Sequence, residues 1–153
     1  MPTRKKSPGG PGGPDFEATW LRLTAWARRA GIDLHLRPQP SVALPYMRVA
    51  SVSSRVGPQN RLYEALHEIG HILAADDVVT MKTLNGGDAG PPPRTYAHKA
   101  MRVAEEYDAW TRGWALSKRL RFGLDRRHYW RAASRALSTY ARWSAEPHHR
   151  KET

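Results

Sequence analysis

The segment His67-Glu68-Ile69-Gly70-His71 constrains this chain more than any other feature, because it demands a helix beneath it and a second element beside it. Histidines four residues apart stand on one helix face, with Cβ atoms roughly 6 Å apart, so both imidazoles reach one ion. The glutamate next to the first histidine then points where it can take a proton from water activated by that ion. The surrounding residues favour a helix. Leu62, Leu66, Ile69 and Leu73 recur at helical spacing as a core-facing stripe, with His67, Glu68 and His71 beside it. Asn60 reads as the N-cap after Gly57-Pro58, and Glu64 lies near the positive end of the helix dipole.

Zinc held by two histidines wants a third protein ligand and an open position for water. Downstream, a helical pattern runs from about Tyr96 to Leu120, with Val103, Tyr107, Trp110 and Trp114 as its apolar stripe. Glu106 lies at the edge of that stripe, where an unpaired buried charge would be costly. It is the expected third ligand. Glu105, one residue round the helix, is the fallback, and an ion pair of Glu106 with Arg102 is the reading without metal. Asp77 competes, because His67-Glu68-x-x-His71-x-x-Ala74-x-x-Asp77 follows metzincin spacing. Against it, Ala74 stands where glycine would let the chain turn sharply.

A first helix, two short strands, an HExxH helix, a loop and a second helix with a ligating carboxylate resemble the minimal gluzincin metallopeptidases. The nearest likeness is the ImmA/IrrE-like group of bacteria, plasmids and phages. It covers about residues 15–120 and rests on His67, Glu68, His71 and Glu106. In gluzincins the third ligand often begins a Glu-aromatic-x-Ala-Asp/Asn run. Glu106-Tyr107-Asp108-Ala109 fits, but Trp110 stands where the acid or amide would be. The resemblance implies a small α+β, zincin-like domain: an N-terminal helix, a short antiparallel or mixed sheet packed on the HExxH helix, then two further helices. It also implies a zinc-dependent metallopeptidase acting on a protein or peptide. Zn2+ would be held by His67, His71 and Glu106, with Glu68 as general base. Asp108 or Asp76 would substitute for the missing acid, and Tyr96 and His98 are the nearest polar donors for an oxyanion.

The net charge of +11 sits at the two ends. Residues 1–14 carry Arg4, Lys5 and Lys6 and no acid, whereas residues 15–117 are almost balanced and residues 118–153 are strongly basic. Arg127, Arg131, Arg135 and Arg142 share one face of a C-terminal helix, beside an apolar stripe of Trp130, Ala133, Leu137 and Tyr140. Such a face suits phosphates or an acidic partner. The alternative function is therefore a zinc-stabilised, non-catalytic module binding DNA or protein. Cysteine is absent, which excludes disulfides, a thiolate zinc site and a cysteine nucleophile. Residues 1–14 read as a disordered basic arm and not a signal peptide, and no run reaches the roughly 18 apolar residues of a membrane span. A soluble cytoplasmic protein is expected.

The organisation follows as residues 15–122 for the metallopeptidase-like domain, 123–145 for the basic helix packed on it, and 146–153 for a disordered tail. Phe16, Trp20, Leu23 and Ala27 mark the first helix, closed by Gly31. Ile32, Leu34 and Leu36 alternate with polar residues as a strand ending at Pro38 and Pro40. A second strand is expected from about Met47 to Val56, with an edge free to pair with an extended substrate. The Gly/Pro-rich stretch 86–93 reads as a loop between the two ligand-bearing helices, either a plain connector or a lid.

Overall fold

Asp15 starts the first helix, α1 (Phe16–Arg29): its carboxylate accepts from the Glu17 and Ala18 amides, both at 3.1 Å. Gly31 closes it with φ +69°, and the Ile32 amide returns to the Ala27 carbonyl at 2.8 Å. The computed structural model describes residues 13–85 and 95–146, without the side chains of 78–85. The arm (1–12), the Gly/Pro-rich stretch 86–94 and the tail beyond 146 lie outside the described residues.

Three strands follow: β1 (Asp33–Arg37), β2 (Val42–Leu44) and β3 (Val49–Ser53), with a single 3-10 turn, Pro45–Met47, between the last two. The sheet order is β1-β3-β2, with β1 parallel and β2 antiparallel to β3. Two expectations are corrected here. Residues 42–44 form a strand of their own, and the later strand is the central one, so both its edges are taken. Among the described residues, the free antiparallel edge belongs to β2.

Alternation places Leu34, Ala50 and Val52 on the buried face of the sheet, against α2 (Pro58–Asn85). α2 also touches α1, β2, α3 (Tyr96–Arg119) and α4 (Arg126–Ala145). Its start differs from the sequence reading. Pro58 takes the first helical position, where its missing N–H costs nothing, and the Arg61 amide bonds the Gly57 carbonyl at 2.9 Å. Asn60 is therefore inside the helix, not its cap. Leu62, Leu66, Ile69 and Ile72 are fully buried.

α2 and α3 approach through glycine. A Cβ on Gly70 would lie 2.0 Å from the Ala109 carbonyl oxygen, and one on Gly113 2.5 Å from that of Leu66. Tyr129 on α4 then packs against α3, its hydroxyl donating to the Trp110 carbonyl at 2.8 Å. Arg127, Arg131, Arg135 and Arg142 point outward from α4 and are exposed. Among the described residues the architecture is α+β, four helices and a three-stranded mixed sheet, with α2 between the sheet and α3. Among the described residues, no helix is long and apolar enough to cross a membrane.

Candidate metal centre

The glycine contact between α2 and α3 brings Glu106 against the HExxH turn. Its Oε2 lies 3.0 Å from His67 Nε2 and 3.4 Å from His71 Nε2, and the carboxylate is buried. The two imidazoles are 4.6 Å apart between ring centres. Donors at roughly 2.0–2.1 Å from a tetrahedral zinc ion stand about 3.3 Å from one another. Both separations are close to that, and two imidazoles with a carboxylate suit such an ion by chemistry.

Glu68 belongs to the same cluster in another position. Donor atoms of His67, Glu68 and His71 lie within 4.8 Å of one another, but Glu68 Oε1 approaches His67 at Nδ1, 3.6 Å away. That is the ring nitrogen opposite the edge shared with His71 and Glu106. Glu68 is buried, and with His67 and His71 it forms a group whose donor atoms lie close enough together to hold one ion.

The competing ligands are elsewhere. α2 runs straight on past Ala74 without the turn that a ligand at Asp77 would need, and Asp77 pairs with Arg112, its side chain 63% exposed. Glu105 takes Arg102 at 2.7 Å on the outer surface, the pairing that sequence had offered to Glu106. Of the two acids expected to substitute for the missing one, Asp108 is held by Arg112 at 2.6 Å and Asp76 pairs with Arg48 at 2.5 Å. Trp110 itself packs on a histidine. Its indole stacks on His67, 4.4 Å between centres and 11° from parallel, fixing the ring by contact area. The indole N–H has no hydrogen-bond partner among the described residues.

Tyr96 and His98 sit in the first turn of α3, two to three turns before Glu106 and so roughly 12–15 Å away along the axis. Tyr140 of α4, which sequence placed in an apolar stripe, is half-buried, and burial together with the charge of Glu106 raises its phenol above the usual range.

Two titrations are displaced. Burial opposes charge on His67, but hydrogen bonds to Glu106 and Glu68 outweigh it and raise the imidazole to about 9. Burial likewise opposes charge on Glu106, and the two imidazoles hold it well below the usual carboxylate range. In the metal-free protein a proton thus occupies the cleft that a cation would take. The raised His67 stabilises the fold fully below its unfolded value near 6.5, and that contribution fades as pH rises through about 9. The depressed Glu106 contributes above about 4.5 and loses it in acid. Metal-free stability from this cluster is therefore greatest between about pH 4.5 and 6.5.

Cation binding must expel the His67 proton, so zinc affinity will climb about tenfold per pH unit from pH 7 towards 9. Competition against a chromophoric chelator, corrected for the chelator's own protonation, measures this. A flat profile would mean that His67 is already neutral without metal.

The chain matches no protein-family model, no curated protein and no solved structure.

Proposed function

We propose that the protein is a zinc-dependent metallopeptidase of the HExxH type, with the gluzincin ligand set His67, His71 and Glu106. The observation that carries this reading is the buried Glu106 carboxylate lying against both Nε2 atoms, with a second carboxylate, Glu68, alongside but off that edge. A zinc ion bound there would supply a Lewis acid that polarises a peptide carbonyl and acidifies water. Glu68 takes the proton of the attacking water and returns it to the leaving amine. Trp110 and Glu106 hold the imidazoles so that their Nε2 atoms stay convergent.

The sheet supports a peptide as substrate. Ser41 donates to the Glu64 carboxylate, and Arg48 meets Asp76 at 2.5 Å. These contacts lay the chain from β2 through Arg48 along the turns of α2 that carry the ligands. The outer edge of β2 has no strand beside it among the described residues, and Val42 and Leu44 are exposed there. An extended peptide can add to that edge through main-chain hydrogen bonds.

Incubation of the zinc-loaded protein with an unfolded protein substrate tests the proposal. Cleavage should stop with chelator and return with zinc, and His71→Ala should lose both the metal and the activity. Stoichiometric zinc without any cleavage would favour the zinc-stabilised binding module instead.

A further inference from the structure

α4 carries five arginines and no acid. Its inner side is taken up by packing: Tyr129 and Ala133 are buried, and the Tyr129 hydroxyl donates to the Trp110 carbonyl of α3 at 2.8 Å. At the far end, the buried Lys99 of α3 donates to the backbone carbonyls of Trp143 at 3.2 Å and Glu146 at 2.7 Å. A helix fastened near both ends presents its outer side as a rigid face. At about 100° per residue, Arg127, Arg131, Arg135 and Arg142 fall within about a quarter of the circumference. All four are exposed, as are the short side chains of Ser134, Ser138 and Ala141 among them.

Arginines elsewhere have counter-charges that this row lacks. Arg48 pairs with Asp76, Arg102 with Glu105, and Arg112 with both Asp77 and Asp108. Arg127 lies in the field of the capping Asp125. Among the described residues, none of the four forms an ion pair. From Arg127 to Arg142 the row runs about 22 Å along the helix axis. Phosphates on one strand of a duplex succeed one another every 3.4 Å or so, so the row is as long as roughly six nucleotides.

The composition of the face selects among polyanions. An acidic protein partner would need apolar anchors beside its charges, and serine and alanine offer none. A single strand would need exposed aromatic rings on which to stack its bases. Trp143 lies about 120° round the helix from the middle of the row, with the Lys99 ammonium over its ring at 5.4 Å. Duplex RNA has a major groove too deep and narrow for side chains, whereas that of B-DNA, about 12 Å wide, admits a helix.

We infer that the outer face of α4 is a docking surface for duplex DNA, held through phosphates and without a preferred sequence. The surface is separate from the metal centre, and the inference stands or falls independently of the peptidase reading.

The test titrates the full chain onto a fluorescent duplex of about 20 base pairs and reads anisotropy between about 50 and 200 mM salt. Four phosphate contacts weaken binding on the order of 100-fold over that range. In the triple variant Arg131→Gln, Arg135→Gln, Arg142→Gln, the slope of log affinity against log salt should shrink by about 2.7. Should that variant unfold, the three single variants serve, each expected to cut the slope by about 0.9. An unchanged slope overturns the inference. So does an equal loss when Arg4, Lys5 and Lys6 of the arm are replaced by glutamine instead, because net charge alone would then explain binding. Poly-glutamate or a single strand of the same sequence, bound as tightly as the duplex, also overturns it. Zinc content and chelator-sensitive cleavage, measured on the same variants, should match the wild type.

Discussion

A Glu68→Gln protein will keep one equivalent of zinc and lose peptide hydrolysis by about 10²–10⁴-fold. The amide has nearly the shape of the carboxylate, so the buried pocket beside His67 Nδ1 stays filled and the Nε2 edge facing Glu106 is undisturbed. What disappears is the proton acceptor. Metal analysis and a cleavage assay on the same sample separate the possible results. Undiminished hydrolysis in a zinc-replete protein would take the base role from Glu68, whereas lost zinc would make Glu68 a ligand.

The second large effect is expected at Gly70→Ala. The new methyl would sit 2.0 Å from the Ala109 carbonyl oxygen and 2.7 Å from its carbon, both backbone atoms of α3. Backbone cannot swing aside as a side chain does, so the two helices must part. Overpacking of this kind costs on the order of 3 kcal/mol, and the separation also draws Glu106 away from the imidazoles. Urea unfolding of the metal-free protein and zinc titration should therefore both register the change. Gly57→Ala is the control, because no atom lies within 4 Å of its added Cβ. Equal stability of the two variants would mean that the helices do not meet as closely as described.

Local signals were the legible ones. α1 was readable because its apolar period, its four marker residues and its closing Gly31 all lie within the segment itself. The HExxH helix was readable for the same reason. β2 was not: three residues between Pro40 and Pro45 carry no period, and they become a strand only because β3 offers hydrogen-bonding groups. On α3 the apolar stripe was set slightly askew. Tyr107 is 56% exposed, while Lys99, Glu106 and Ser117 are buried. Hydropathy puts polar residues outside, and it cannot foresee that Lys99 finds the carbonyls at the end of α4 or that Glu106 finds two imidazoles. Glu106 itself was found by asking what a carboxylate near a buried face would need. The distinction between it, Glu105 and Asp77 required the arginines that claim the other two.

The proposed ligands are strung along the chain in a fixed order: two imidazoles on α2, then the carboxylate on α3. During synthesis at about 5–20 residues per second, each successive helix emerges seconds after the one before. A nascent chain that has exposed only α2 offers a cation two imidazoles and the Glu68 carboxylate, without Glu106. If the proposed ligand set is right, the cation site closes only once α3 has packed against α2, and a chain halted before α3 has emerged lacks it.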